Sequence, residues 1–147
     1  MMRGHQLHFV TLESDVMRSI LTPRATYENV ERDWFYQALA SIGSVVTLHG
    51  VNVIFDATAN KRAYRDRARA LIHRFVEVYI QCPLDICINR DPKGIYRTAA
   101  EGKASTVPGL QSAYEPPERP ELVLDCRDSA EANAGAIIDT LKQFRYI

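Results

Sequence analysis

No apolar run in this chain is long enough to cross a bilayer. The most continuous, Val51 to Phe55, is already broken by Asn52, whereas a spanning helix needs about 20 residues. Neither sign of charge is in excess. Eighteen Lys and Arg balance eighteen Asp and Glu, so nothing in the charge calls for a nucleic-acid or membrane partner. Cysteine is sparse: Cys82, Cys87 and Cys126 form no Cys-x-x-Cys pair and leave one odd. A reduced, cytoplasmic setting is the simple expectation, and Cys82 and Cys87 read as small apolar core residues. Met1-Met2-Arg3-Gly4-His5-Gln6 lacks the apolar core of a signal peptide. His5 and His8 have i, i+3 spacing, but no further ligand stands near them, so no metal site is expected. No Ser-His-Asp or Cys-His arrangement can be argued from spacing, and no segment repeats.

What remains is a chain of 147 residues, 46% apolar and 24% charged. That suits one soluble domain with a real core. Strands are expected near 7–12, 51–57, 75–82 and 121–126, joined by helical stretches. The pattern is α/β, a parallel sheet with helices on both faces. Val51 to Ala57 is nearly all apolar, as a strand covered on both faces should be. A long helix is expected from about Glu28 to about His49, with Val30, Trp34, Ala38, Ile42, Val45, Val46 and Leu48 as its buried stripe. Trp34 reads as core. Gly43 interrupts that helix and weakens it by about 1 kcal/mol relative to Ala. Further helices are expected from Lys61 to about His73, from Pro83, and from a Ser129 cap to about Phe144. The last of these should bury Ala132, Ala136, Ile137 and Leu141.

The stretch that organises the chain is Asn89-Arg90-Asp91-Pro92-Lys93-Gly94-Ile95-Tyr96-Arg97. Three cations, Arg90, Lys93 and Arg97, surround a helix-breaking Pro-Lys-Gly. A polar segment bearing glycine and proline, 101–120, follows it. Such an arrangement suits a mobile flap that brings charge onto a phosphorylated ligand; a solvated turn is the plainer alternative.

With Gly109, Tyr114-Glu115-Pro116-Pro117-Glu118 and Leu122-Val123-Leu124-Asp125, this stretch resembles the second half of an adenylylsulfate kinase. That family transfers the γ-phosphate of ATP to the 3′-hydroxyl of adenosine 5′-phosphosulfate (APS) in sulfate assimilation. The resemblance runs from about Leu7 to the C-terminus. It implies a three-layer fold of the P-loop kinase type and one domain over 1–147, with a lid at 101–120. By the same resemblance Asp15 and Arg18 match the end of an Asp-Gly-Asp-x-x-Arg motif, whose first two residues are Glu13 and Ser14 here. Asp15 is then catalytic and substrate-binding. Arg18 faces the phosphosulfate, and Asn29 and Lys93 contact the nucleotide. Arg90 lies at the lid hinge near ATP, and Cys126 lies close to its adenine. ATP and Mg²⁺ are the implied cofactors, and a homodimer is compatible.

The chain departs from the family in several places. Thr26 stands for an arginine and Ala59 for a serine. The loop between Arg18 and Asn29 is short and lacks its adenine-covering Phe. Val107 replaces a second such Phe, with Tyr27 and Tyr114 as candidate substitutes. No Gly-x-x-x-x-Gly-Lys-Ser/Thr loop occurs: the one Gly-Lys, Gly102-Lys103, has Arg97 and Ala104 at the other key positions. Fourteen residues precede Asp15, fewer than the roughly thirty of a strand–loop–helix unit. The P-loop strand and helix are therefore expected to be missing, by truncation or by degeneration. Two other readings stand beside this one: a related kinase acting on another small hydroxyl substrate, and a non-catalytic binding or regulatory homologue.

Overall fold

The computed structural model describes residues 8–103, 107, 109–110 and 112–147. Leu7, His5 and part of the 101–120 lid thus lie outside the described residues. The chain divides into two compact units. One takes in Met1–Ala59, Ala63–His73 and Ile147; the other takes in Asn60–Arg62 and Arg74–Tyr146.

The first unit is built on strand β1 (Phe9–Glu13) and strand β2 (Asn52–Asp56), paired in parallel with Leu12 opposite Phe55. Helix α1 (Ser14–Leu21) leaves β1 with no intervening loop, and helix α2 (Asn29–Leu48) forms the crossover to β2. Helix α3 (Arg62–Leu71) follows. Leu12, Phe35, Tyr36, Leu39 and Tyr64 form the core, with Val53 and Phe55 packed against it. Tyr36 stacks on Tyr64 at 4.4 Å between centroids and meets Phe35 edge-on at 5.2 Å. Both phenols are satisfied: Tyr36 Oη accepts from Ala59 N–H at 3.0 Å, and Tyr64 Oη donates to Asp33 at 2.6 Å.

The face that α2 buries is not the expected one. Arg32, Phe35, Tyr36, Leu39, Ala40 and Gly43 point inward, while Val30 and Leu48 are each 80% exposed and Trp34 is 51% exposed. Two apolar stripes run along this helix, and periodicity alone does not rank them. Gly43 decides between them, because the Phe55 ring rests on its bare Cα. A Cβ placed there would lie 2.1 Å from the ring carbon Cζ.

The second unit pairs strand β3 (Val78–Gln81) in parallel with strand β4 (Leu122–Asp125), Val78 opposite Leu122. Both are shorter than the sequence suggested, since the residues at either end of β3 leave the ladder. Helix α4 (Leu84–Arg90), helix α5 (Ile95–Ala100) and the segment after it make the crossover, and helix α6 (Ala130–Gln143) follows β4. Sequence reading did not foresee α5. Ser129 caps α6 as expected, accepting from Ala132 N–H at 3.1 Å. On α6, however, Ala132 is exposed, and Thr140 is its buried residue. Asn60, 3% exposed, anchors the end of the lid. Its side-chain amide donates to Ala113 O at 3.0 Å, and its carbonyl accepts from Glu115 N–H at 2.8 Å. Among the described residues no helix is long and apolar enough to cross a membrane.

Gly43→Ala separates helix propensity from packing. Propensity alone would stabilise by about 1 kcal/mol, but overpacking a core costs about 1–3 kcal/mol. The substitution should lower the Tm, and Phe55→Leu in the same background should recover part of the loss. A higher Tm for Gly43→Ala alone would contradict the close approach.

Candidate functional site

In the first unit, the junction of β1 and α1 opens into a cavity of about 550 Å³. It is lined by Asp15, Arg18, Ser19, Thr22, Pro23, Arg24, Ala25 and Tyr27. Asp15 sits in the first turn of α1 and Arg18 one turn later, so helical spacing places both toward the same opening. Asn29 begins α2 just beyond this lining and is exposed.

Arg18 is 8% exposed, rare for an unburdened guanidinium, and its surroundings account for it. Its Cζ lies 4.0 Å from the Phe35 ring centroid, 5.0 Å from Tyr27 and 6.0 Å from Tyr36. Aromatic faces stabilise a cation by about 0.5–2 kcal/mol each as water is excluded. Charge balance comes from Glu31, whose Oε1 is 3.4 Å from Arg18 Nη1. That contact is long and uses one of the five N–H donors of the guanidinium.

Glu31 also builds the wall of the cavity. Its Oε2 accepts from Thr26 N–H at 2.7 Å and Thr26 Oγ1 at 3.0 Å; its Oε1 accepts from Tyr27 N–H at 3.2 Å. Chiefly through the Thr26 N–H, these bonds hold its pKa below the ordinary glutamate range against the opposing effect of desolvation. Tyr27 adopts a left-handed backbone with φ 59°, unusual for an aromatic residue. It is fixed by the Glu31 bond, and Arg32 Nε donates to its carbonyl at 3.0 Å. Sequence reading passed over Glu31. The available signal was its place as third residue of a helix, from which a Glu side chain reaches back to N–H groups ahead of the helix.

In the second unit, the Arg90–Arg97 stretch is a turn with an assignable role for nearly every residue. Arg90 ends α4 and donates from Nη1 to Cys126 O at 2.9 Å. Asp91 caps α5, accepting from Tyr96 N–H at 3.2 Å and Arg97 N–H at 3.0 Å. Desolvation alone would raise the Asp91 pKa, but the Arg97, Tyr96 and Ile95 N–H groups outweigh it and the net shift is downward. Gly94 takes φ 66°, where a side chain would be strained. Lys93 is exposed on this turn. A second cavity, about 560 Å³, lies between the carboxyl end of the β3–β4 sheet and α6. Its lining includes Ile80, Arg90, Leu124, Cys126, Asp128 and Asn133. Asn133 Nδ2 donates to Asp125 O at 3.1 Å, tying α6 to the end of β4. Sequence reading missed this residue, and its spacing carries no signal for it.

The sequence-predicted residues therefore fall in both units. Asp15 and Arg18 share one cavity with Asn29 at its edge, Arg90 and Cys126 share another, and Lys93 lies on the turn between α4 and α5. Tyr114, a candidate aromatic cover, stacks on Tyr79 at 6.1 Å.

The adenylylsulphate kinase family profile matches residues 1–125. An adenylyl-sulfate kinase of Synechococcus sp. (strain JA-2-3B'a(2-13)) is 34% identical over 97% of this chain and 79% of its own length. A probable adenylyl-sulfate kinase of Archaeoglobus fulgidus is 36% identical over 78% of this chain and 74% of its own. The Mycobacterium tuberculosis APS kinase solved with AMPPNP and APS superposes with a TM-score of 0.85 at 27% identity, covering 92% of this chain and 80% of the other.

Glu31→Ala should destabilise by about 2–4 kcal/mol in urea titrations, because Arg18 loses its carboxylate and the Thr26 and Tyr27 amides lose their acceptor. The pH dependence has a defined sign. The folded pKa of Glu31 is lowered, so its contribution is complete above the unfolded value, about 4.3, and fades as pH falls through the folded one. The stability gap between wild type and Glu31→Gln should therefore narrow below about pH 4. A gap that widens there would contradict the assignment. Asp91→Asn should loosen α5, read as faster exchange of the Tyr96 and Arg97 amides. Wild type should approach the same rates only as pH falls below the ordinary aspartate value of about 3.9. Unchanged exchange in Asp91→Asn would remove Asp91 as the cap.

Proposed function

The chain belongs to the adenylylsulphate kinase family, and from that premise we propose that its first unit carries the acceptor side of the family's reaction. The ligand is an anionic nucleotide of the APS type, bound in the Arg18 cavity. One observation carries this: Arg18 is a buried guanidinium on an aromatic floor, with a single carboxylate contact of 3.4 Å. The guanidinium lines the cavity, and its fork suits two anion oxygens at once. Asp15, on the same opening, orients the bound group or accepts the proton of the reacting hydroxyl. Asn29 hydrogen-bonds neutral groups of the nucleotide. Lys93 enters the proposal by family resemblance as a point charge on the flap. Tyr27 supplies an aromatic ring at the cavity wall, which weakens the case for a non-nucleotide acceptor.

The ATP side is treated differently. The second cavity offers apolar faces from Ile80, Leu124 and Ile137, and polar groups from Asn133 and Arg90, a lining that suits a purine base. The phosphates and Mg²⁺ find no matching group. The 147 residues hold no Gly-x-x-x-x-Gly-Lys-Ser/Thr loop, whose N–H groups, lysine and hydroxyl would cradle them. The helix that follows β1 directly carries Asp15 in its first turn, a charge of the wrong sign for phosphate. Among the described residues no three acidic, His or Cys side chains are grouped to hold a metal. This chain therefore binds an acceptor nucleotide and does not, by itself, transfer phosphate to it.

Calorimetry tests the proposal with two ligands. APS should give a saturable heat that Arg18→Ala weakens by about 2–4 kcal/mol, the loss of a charge-assisted bidentate contact. Lys93→Ala should weaken it less. Mg-ATP should give no saturable binding in the micromolar range and no turnover. Equal APS affinity in wild type and Arg18→Ala would remove Arg18 from the site. A defined Mg-ATP heat that disappears in Arg90→Ala would overturn the incomplete phosphate site.

A further inference from the structure

All three cysteines of the chain meet at one place in the second unit. Cys82 directly follows β3 and Cys126 directly follows β4. The parallel register ends with Gln81 opposite Asp125. Cys126 N–H donates to Gln81 O at 3.1 Å, the closing bond of that last pair, and the next residue on each chain segment is a cysteine, Cys82 and Cys126. Neighbouring strands lie about 4.8 Å apart, inside the Cα separation of about 4.4–6.8 Å that a disulfide bridges. Cys87 stands one turn into α4 with its Sγ 3.9 Å from Cys82 O. Both other thiols act on the Cys82 thiol, and with burial they raise its pKa. None of the three is sealed in the core, each being partly exposed.

We infer that Cys82 and Cys126 form an oxidisable dithiol, a modification site that closes a reversible disulfide across the ends of β3 and β4. The oxidant is a peroxide. Cys126 meets it, because Cys126 lines the second cavity. Its sulfur takes one peroxide oxygen to become a sulfenic acid, and the other oxygen leaves as water. Cys82 sulfur then attacks the Cys126 sulfur. The S–S bond forms, the S–O bond breaks, and the Cys82 proton departs with that oxygen as a second water. Two thiols are oxidised and one peroxide is reduced to two waters. The order of events agrees with the hydrogen bonding, since the hydrogen bond to Cys126 first, with desolvation and Cys87, pushes the Cys82 pKa up to about 12. The Cys82 thiolate is thus the scarce one, which leaves the first reaction with peroxide to Cys126. Partly exposed bridges are the readily reduced ones, so a dithiol reductant reverses the step. The inference stands on the second unit alone and does not depend on which ligand the cavities take.

The test uses the reduced full chain and one equivalent of hydrogen peroxide. Titratable thiols should fall from three to one. Peptide mapping without reductant should return a Cys82–Cys126 cross-link. The oxidised monomer should melt several degrees higher, because the bridge ties the whole β3–β4 crossover into a loop. Dithiothreitol should restore all three thiols. Cys87→Ser should behave as wild type, while Cys82→Ser and Cys126→Ser, each checked for native circular dichroism, should form no intramolecular bridge. Three surviving thiols, a dominant Cys82–Cys87 link, a disulfide between two chains, or a sulfinic acid as main product would each overturn the inference.

Discussion

The ring of Phe35 has two faces of the first unit resting on it. It is fully buried in the core beside Leu12, Tyr36 and Leu39. It is also the floor on which the Arg18 guanidinium lies at 4.0 Å. A side chain that serves both purposes couples them, because a shift of α2 large enough to repack the core would move the cation in the cavity. That coupling explains why the small-residue position on the same helix matters. Gly43 lets the β2 ring of Phe55 seat against α2, which sets how α2 lies on the sheet and hence where Phe35 presents its face. Glu31 adds the electrostatic half of the constraint. It neutralises Arg18 from the first turn of α2 and ties down the Thr26–Tyr27 backbone with the same two oxygens. One helix thus supplies the floor, the counter-charge and the wall of the cavity.

The second unit solves a similar problem without a large aromatic core. Its charged turn is shaped by backbone chemistry. Asp91 satisfies the first amides of α5, Gly94 supplies a left-handed residue, and the Arg90 guanidinium closes onto the carbonyl of Cys126. The lid end is fixed by Asn60 in the same manner, through one donor and one acceptor directed at consecutive parts of the 112–115 segment. Such bonds contribute roughly 1 kcal/mol each, so this unit holds its turns by many small terms. The cysteines at its strand ends stay partly exposed beside these turns.

Much of this was legible in the sequence. The strands announced themselves as β-branched and apolar runs, and their parallel pairing followed from the helices between them. The Arg90–Arg97 stretch and the motifs after it pointed to the family, and Ser129 was readable as a cap. The misses have physical causes. The buried face of α2 was misread because the apolar residues spread around the helix. The choice between stripes depends on a long-range contact, Gly43 with Phe55, that no local window contains. Helix α5 was missed because Pro92 and Gly94 read as breakers, while the Asp91 carboxylate that starts the helix acts four to six residues away in sequence. Asn60 and Asn133 carry no periodic or charge signal; each matters only because a distant backbone carbonyl ends up beside it.

The charges at the helix ends bear on what this chain can hold. A phosphate chain is bound by free amides at a helix N-terminus, where the dipole favours an anion. Each helix among the described residues already has a carboxylate in or against that position. Asp15, Glu31, Asp85 and Glu131 occupy the first turns of α1, α2, α4 and α6. Asp91 caps α5, and Glu115 accepts from the first amide of α3 at 2.7 Å. An incoming triphosphate would have to displace one of these groups or accept its repulsion. The Arg18 cavity presents a side-chain cation instead, with Asp15 on the same opening and the Glu31 carboxylate 3.4 Å from the guanidinium. What each described helix end presents to an incoming anion is therefore a carboxylate, and cations are presented by side chains such as Arg18 instead.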